Sequence, residues 1–204
     1  MRLGIFGGAF DPIHYGHLLL AEQCREQCQL DEVWFVPTKI PPHKIAGSLS
    51  PDADRIEMLK LATAGRPEFV VSEIELRRED ISWTVDTLRQ LHRERPQDEL
   101  FLLIGADSLE DFPTWREPDA IAELSTVVAV NRGEKSLDEL TAHLEHELAS
   151  KVRLVTMPGI SISATDLRRR VSEGRSIRYY VPRAVEQYVL GRDLYLSADL
   201  SSDV

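Results

Sequence analysis

Several features that mark other protein classes are scarce or missing in this sequence. Basic residues are outnumbered, with 24 Lys and Arg against 34 Asp and Glu and a net charge of −10. This balance disfavours the clustered positive charge that nucleic acids and membrane surfaces require. No apolar run approaches the roughly 18 to 20 residues that span a bilayer, and the N-terminus lacks the pattern of a signal peptide. We therefore expect a cytoplasmic protein with no nucleic-acid and no membrane partner, while a homo-oligomer stays open.

Cysteine is also rare, and the chain has only Cys24 and Cys28. Their spacing puts them on one face of a predicted helix, and no further ligand follows nearby to complete a metal site. The pattern predicts two reduced thiols, as is usual in the cytosol.

What the sequence does contain is a regular alternation of short apolar runs and helical patterns. The strand candidates are residues 3–6, 33–36, 69–71, 100–104, 126–130 and 152–155, and the helix candidates are residues 18–30, 51–64, 84–93, 137–149, 165–171 and 183–190. This order predicts an α/β fold, a doubly wound parallel sheet with helices on both faces. We expect one domain over residues 1–204, with a C-terminal helical part at about 163–195. Ligands of such sheets bind beyond the carboxyl ends of the strands.

The loop after the first strand candidate carries two glycines and two histidines. Gly7 and Gly8 let the backbone turn sharply and approach a ligand closely. His14 and His17 are three residues apart at a predicted helix start, so both imidazoles lie near one face. Gly16 between them lets a ligand lie close to the first turn. Because the N–H groups of a helix N-terminus favour anions, the loop predicts a phosphate site more than a purely structural histidine pair.

A second helix start follows the last strand candidate. Ser163, three residues before Asp166, is typical of a capping box, and by itself the segment is as readily a plain helix cap as a ligand site. The hydroxyls of Ser163 and Thr165 and the guanidinium of Arg168 would also suit phosphate. Two such helix N-termini from separate strands would hold a triphosphate between them.

These two segments carry a resemblance to a known family. Residues 7–17, Gly-Gly-Ala-Phe-Asp-Pro-x-His-x-Gly-His, resemble the H-x-G-H signature of the nucleotidyltransferase superfamily, which has a Rossmann-like fold, and look most like the bacterial nicotinate-mononucleotide adenylyltransferases. Residues 162–168 resemble its I-S-S-T-x-[IL]-R motif. Ala9 and Ala164 stand where the family usually has hydroxyl residues. The similarity extends through the run at residues 179–195 and covers nearly the whole chain.

Three further segments resemble the parts of that family that select the substrate. Pro-Pro-His-Lys at residues 41–44 implies that Lys44 contacts phosphates, although a solvated loop lysine is the simpler alternative. Ser-Trp-Thr at residues 82–84 implies that Thr84 recognises a nicotinate carboxylate at a helix start, where it is also a candidate N-cap. Gly105 and Asp107 imply contacts to adenosine, and Trp115 implies stacking on a pyridine ring, unless it is a core or surface aromatic.

The resemblance implies adenylyl transfer from ATP to nicotinate mononucleotide, giving nicotinate adenine dinucleotide and pyrophosphate, in NAD biosynthesis. The partners it implies are ATP and nicotinate mononucleotide, with Mg²⁺ bound mainly through ATP phosphates and no metal site built from protein side chains. The expected catalytic residues are His14, His17, Lys44 and Arg168. The expected ATP-binding residues are Gly7, Gly8, Ala9, Phe10, His17, Gly105, Asp107, Ser163, Thr165 and Arg168. The expected mononucleotide-binding residues are Lys44, Thr84 and Trp115.

Two other functions are compatible with these motifs. The same chemistry on nicotinamide mononucleotide or another phosphorylated acceptor would keep both helix starts. A nucleotide-binding sensor without catalysis would account for Ala9 and Ala164 as lost hydroxyl positions, although His14, His17 and Arg168 argue against it. A class I tRNA synthetase fragment also carries H-x-G-H, but this acidic chain lacks the accompanying K-M-S-K-S motif.

Overall fold

A computed structural model describes residues 1–40, 49–131 and 137–196 of the chain. Its strands are β1 (Arg2–Gly8), β2 (Glu32–Pro37), β3 (Phe69–Val71), β4 (Glu99–Gly105), β5 (Thr126–Asn131) and β6 (Val152–Thr156). Its α-helices are α1 (Tyr15–Cys28), α2 (Asp52–Thr63), α3 (Thr84–Glu94), α4 (Ala106–Asp111), α5 (Pro118–Leu124), α6 (Leu137–Thr141), α7 (His146–Ala149), α8 (Ala164–Ser172) and α9 (Arg183–Gly191). A 3₁₀ turn, Phe112–Thr114, joins α4 to α5.

The strands form one sheet in the order β3-β2-β1-β4-β5-β6, and every pairing is parallel. The predicted doubly wound α/β fold is therefore confirmed. The chain leaves β1 toward β2 on one side and later returns through β4 on the other. This reversal between β1 and β4 opens a crevice at their carboxyl ends, which is where such sheets bind ligands.

The two faces of the sheet bury two separate apolar layers. Because successive side chains of a strand point to opposite faces, Leu100 and Leu102 pack with α3 and α5, whereas Phe101 and Leu103 pack with α1, α2, α8 and α9. The strands are covered on both faces, which explains why they read as continuous apolar runs without polar alternation.

One predicted helix is wrong. Residues 137–149 form two short helices, α6 and α7, because Glu145 between them has an extended backbone with φ −60° and ψ 147°. Leu140, Leu144 and Leu148 are nevertheless all buried in the same layer. Their helical spacing therefore reported burial along this segment and not an unbroken helix.

The sequence also gave no sign of α4 and α5, which directly follow β4. In addition, Gly7 and Gly8 are the last two residues of β1, so the expected sharp turn does not lie at them. The chain turns at Phe10, whose φ is 49°. No helix in the described ranges is long and apolar enough to cross a membrane.

Candidate functional site

The N-terminus of α1 is organised by the two histidines. His14 is the N-cap residue, and its carbonyl accepts from the backbone N–H of His17 at 3.0 Å and of Leu18 at 3.2 Å. The His14 backbone N–H in turn donates to Nδ1 of His17 at 3.3 Å. Since Nδ1 acts as an acceptor, the proton of neutral His17 lies on Nε2. His17 therefore offers an N–H donor at the mouth of the helix.

The two imidazole rings pack against each other, and that of His17 also packs against Phe10. The rings of His14 and His17 stack with centroids 3.6 Å apart and planes 19° apart. Phe10 packs edge-on against His17 at 5.1 Å. A Cβ on Gly16 would lie 3.1 Å from the His14 ring, and one on Gly8 would lie 3.1 Å from the Phe10 ring. A side chain at either position would therefore require the neighbouring ring to shift by a few tenths of an ångström.

Phe10 does not present its side chain to a ligand, because it is only 2% exposed and belongs to the core. Only its backbone and that of Ala9 remain available for the predicted contact with ATP. The Ala9 carbonyl accepts from Nη1 of Arg55 at 2.9 Å, and Arg55 is fully buried. Arg55 had no recognisable motif, so sequence reasoning missed its support of this loop.

The second helix start, at α8, lies directly beside the first. Arg168 donates from Nη1 to the carbonyl of Asp11 at 2.7 Å and from Nη2 to the Thr165 hydroxyl at 3.3 Å. Gly16 of α1 also lies close to Ile162, since a Cβ built on it would be 3.8 Å from the Ile162 Cβ. The predicted juxtaposition of the two helix N-termini is present in the structure.

The capping box expected at α8 does not form. Ser163 is the N-cap residue, but its side chain makes no capping hydrogen bond, and Asp166 instead pairs with Arg169. This Arg169 contact lowers the pKa of Asp166. Ser163 and Thr165 are both exposed. Hydroxyls that do not cap their own helix are available to an anion at its N-terminus.

A cavity of about 600 Å³ opens at the carboxyl ends of β1 and β4. Among the predicted residues it is lined by Gly7, Gly8, Gly105, Thr84 and Trp115. It lies close to the histidine pair, because Phe6 lines the cavity and its ring packs edge-on against His17 with centroids 5.9 Å apart. The predicted residues therefore fall into two neighbouring groups, a polar cluster at two helix N-termini and a partly apolar cavity.

Thr84 and Trp115 both line this cavity. Thr84 is the first residue of α3, and the N-cap is Trp83, so the alternative of Thr84 as an N-cap is wrong. The first N–H groups of a helix have no partner within it. Trp115 is half-buried and packs edge-on against Phe112 at 5.4 Å while it lines the cavity. A planar ring and an anion-binding helix start are thus available in one space.

Charged residues that the motifs did not single out also line the cavity. Arg116 lies over the Trp83 ring, 5.3 Å from its centroid. Glu75 is buried, and its Oε1 accepts from the Thr87 hydroxyl at 2.8 Å. Burial raises the pKa of Glu75, and hydrogen bonds from Thr87 and Ser82 oppose that rise. Glu75 precedes the Ser-Trp-Thr segment at residues 82–84, and nothing in the sequence marked it as buried.

Among the described predicted residues, Asp107 belongs to neither group. Asp107 is exposed in the first turn of α4, two residues after Gly105, and does not line the cavity. Lys44 lies within residues 41–48, outside the described residues.

A crevice at the topological switch point, beside two helix N-termini that carry hydrogen-bond donors for phosphate, is typical of a nucleotide-binding α/β protein. The family model described as cytidylyltransferase-like matches residues 5–170. The chain is 48% identical over 200 residues to a protein of Thermomicrobium roseum named "probable nicotinate-nucleotide adenylyltransferase", covering 97% of this chain and 93% of that one. It is also 48% identical over 195 residues to the protein of that name from Thermus thermophilus, covering 96% of this chain and all of the other. The chain belongs to the cytidylyltransferase-like family and, within it, to the nicotinate-nucleotide adenylyltransferases.

Solved structures agree on the fold. The nicotinic acid mononucleotide adenylyltransferase of Plasmodium falciparum, complexed with NaAD, superposes with a TM-score of 0.78 at 20% identity, covering 95% of this chain and 97% of that one. The resemblance inferred from the motifs is confirmed.

Proposed function

We propose that this protein transfers the adenylyl group of ATP to nicotinate mononucleotide, giving nicotinate adenine dinucleotide and pyrophosphate, as a step of NAD biosynthesis. The observation that carries this proposal is the adjacency of two sites. One is the donor cluster of His17, Thr165 and Arg168 at two helix N-termini. The other is the cavity lined by Thr84 and Trp115. The first suits a triphosphate and the second suits an aromatic carboxylate.

In this reaction a phosphate oxygen of the mononucleotide attacks the α-phosphorus of ATP in line. The new phosphorus–oxygen bond forms as the bond to the bridging oxygen of pyrophosphate breaks. The attacking phosphate is already anionic, so no protein nucleophile or strong base is needed. Catalysis then consists of positioning and of stabilising the negative charge.

Each predicted residue has a role in this scheme. The Nε2–H of His17 donates to the α-phosphate, and His14 fixes the His17 ring by stacking. Arg168 and Lys44 neutralise phosphate charge, and the hydroxyls of Ser163 and Thr165 donate hydrogen bonds. For the rest of ATP, we assign contacts from the backbones of Gly7, Gly8, Ala9, Phe10 and Gly105 and from the Asp107 carboxylate.

The polar cluster fits a Mg²⁺ ion that is held mainly by ATP. No group of three or more His, Cys, Asp or Glu side chains is arranged for a metal ion among the described residues. Both carboxylate oxygens of Asp11, at the centre of the cluster, are engaged by protein donors. Mg²⁺ often keeps its waters and binds through substrate phosphates. Such an ion would offset phosphate charge beside Arg168.

Preference for the acid over the amide rests on the N-terminus of α3. The N–H groups at Thr84 and the nearby guanidinium of Arg116 favour a carboxylate over a neutral amide. Nicotinamide mononucleotide, which carries that amide, is the second candidate acceptor because Trp115 would stack equally well on its pyridine ring.

The test is pyrophosphate release with ATP and Mg²⁺, run in parallel with the acid and the amide mononucleotide. We expect at least about tenfold faster release with the acid, which corresponds to about 1.4 kcal/mol of transition-state discrimination. Comparable rates would keep the reaction and reject the carboxylate site. No release with either, although ATP binds, would favour a sensor.

We also propose that residues 1–204 work as one domain, because the C-terminal helices α8 and α9 share an apolar layer with α1 and α2. The free, buried Cys24 and Cys28 support a cytoplasmic location.

A further inference from the structure

Asp11 connects three separate parts of the chain at the phosphate cluster. It is 1% exposed and lies in the loop between β1 and α1, three residues before His14. Its Oδ2 accepts from the backbone N–H of Ser50 at 3.0 Å, and its backbone carbonyl accepts from Arg168 at 2.7 Å. Its Oδ1 accepts from the hydroxyl of Tyr195 at 2.6 Å. Any displacement of Asp11 therefore moves the group that orients Arg168.

Tyr195 lies at the far end of the described chain, beyond α9. The backbone reaches it through two residues with left-handed conformations, Asp193 at φ 52° and Tyr195 itself at φ 66°. Leu194 between them donates its N–H to the Val189 carbonyl at 3.1 Å. Left-handed backbone is costly for residues other than glycine. A contact that holds the segment in this form must offset that cost.

The Tyr195 hydroxyl is well suited to this contact. Burial, together with the negative charge of Asp11, raises the pKa of Tyr195 far above its usual range. The hydroxyl therefore keeps its proton throughout the physiological pH range and donates to a carboxylate. Charge-assisted hydrogen bonds of this kind are stronger than neutral ones.

We propose that Tyr195 is a positioning residue for adenylyl transfer, whose hydroxyl fixes Asp11 so that the Asp11 carbonyl holds Arg168 against the phosphates of ATP. This inference rests on the proposed function. Tyr195 itself contacts no reacting atom in this scheme. The C-terminal segment thereby completes a site whose histidines lie near the N-terminus.

The structure supplies a matched control for the test. Tyr188, in α9, donates its hydroxyl to Oδ1 of Asp54 at 2.8 Å. Asp54 is also buried, but it lies in α2, and its side chain accepts hydrogen bonds from Tyr188 and Arg192 of the C-terminal region. Tyr195 and Tyr188 lie seven residues apart, and the substitutions Tyr195→Phe and Tyr188→Phe each remove one hydroxyl that donates to a buried aspartate. A purely structural role predicts similar effects for both.

We expect Tyr195→Phe to lower kcat about tenfold and to raise the KM for ATP, as loss of a hydrogen bond to a charged group does. The KM for the mononucleotide should stay within about twofold, because Thr84 and Trp115 lie on the other side of the crevice. Tyr188→Phe should leave kcat and the KM for ATP near their wild-type values, while its Tm shifts by about as much as that of Tyr195→Phe. Equal kinetic effects of the two substitutions, or equal changes in both KM values, would overturn the proposal.

A double-mutant cycle tests whether Tyr195 acts through Arg168. Tyr195→Phe should cost about tenfold in wild type but less than about twofold in an Arg168→Ala background, because residues that act as one unit are not additive. Additive effects would reject the path through Arg168.

The Kd for ATP separates this proposal from the proposed function. If wild type shows no pyrophosphate release, adenylyl transfer fails. Tyr195 remains testable, because Tyr195→Phe should still raise the Kd for ATP several-fold more than Tyr188→Phe does. Equal Kd values would then reject the positioning role by itself.

Discussion

His17 has two separable tasks, and each involves a different ring nitrogen. Nδ1 accepts the His14 backbone N–H at 3.3 Å and so helps to begin α1. Nε2 carries the proton that we assign to the α-phosphate. Three substitutions distinguish these tasks. Alanine removes both, asparagine keeps an acceptor near the position of Nδ1, and glutamine keeps a donor near the position of Nε2.

The magnitudes follow from the two kinds of bond. Loss of a donor that stabilises transition-state charge costs about 2.7–4 kcal/mol, or roughly 10²–10³ in kcat. Loss of a capping interaction at a helix start costs about 1 kcal/mol of unfolding free energy, or about 2–4 °C in Tm for a chain of this size. The effect on turnover should therefore greatly exceed the effect on stability.

We expect His17→Ala to lower both kcat and Tm. His17→Asn should lose kcat to the same degree while its Tm stays near wild type. His17→Gln should show the reverse, with kcat within about tenfold of wild type and a lowered Tm. Steady-state pyrophosphate release and thermal unfolding measure the two quantities. Near-normal turnover of His17→Ala, or identical behaviour of the Asn and Gln variants, would refute the reasoning.

Three further predictions concern neighbouring parts of the site. Thr84→Val should raise the KM for the mononucleotide more than that for ATP. Thr84→Pro should raise the KM for the mononucleotide further, because proline removes the backbone N–H at this position. The variant should still fold, since proline is tolerated at the first position of a helix and Trp83 before it already has a suitable ψ of 130°. Equal changes in both KM values would remove Thr84 from the acceptor site. Gly16→Ala should lower kcat about tenfold, since the added Cβ would lie 3.1 Å from the His14 ring and displace it. Its Tm should change little, because alanine favours the helix. Unchanged kcat would mean that the His14 ring can shift without loss of function. The raised pKa of Glu75 means that its ionisation destabilises the native state. The free energy of unfolding therefore falls as the pH rises above 4.5, the usual pKa of a glutamate side chain. The Tm of Glu75→Gln should therefore rise relative to that of wild type as the pH increases from about 4 to about 7. A difference in Tm that does not change with pH would contradict the burial argument.

The sheet could be predicted from sequence because its strands are buried on both faces. The run at residues 69–71 matches β3 residue for residue, and the other strands differ only at their ends. The short helices α4 and α5 could not be predicted. They are only six and seven residues long, too short for a clear helical period, and they pack on β4 and α3. The predicted helix at residues 137–149 is divided at Glu145, whose extended backbone no apolar spacing could reveal.

The site divides in a similar way. His14 and His17 lie in one local motif and Thr165 and Arg168 in another, so the contact within each pair could be predicted from spacing. Their supports could not. Asp11 and Tyr195 are 184 residues apart, and no local pattern connects them. Arg55 appears in the sequence as an ordinary helical arginine, and only the fold buries it beneath Ala9.

The sheet order also constrains how the enzyme matures during its synthesis. The central strand β1 and the histidine loop leave the ribosome first, yet the edge of β1 that faces β4 stays open until residue 105 has been made. Arg168 and Tyr195 arrive later still. At roughly 5–20 residues per second, the nascent chain spends on the order of ten seconds or more with its histidines already made and without Arg168 and Tyr195, two of the partners of Asp11. Chains that stop before α9 lack Tyr195 and the α9 residues of the apolar layer shared with α1 and α2, so we expect premature termination there to lower activity more than Tyr195→Phe does.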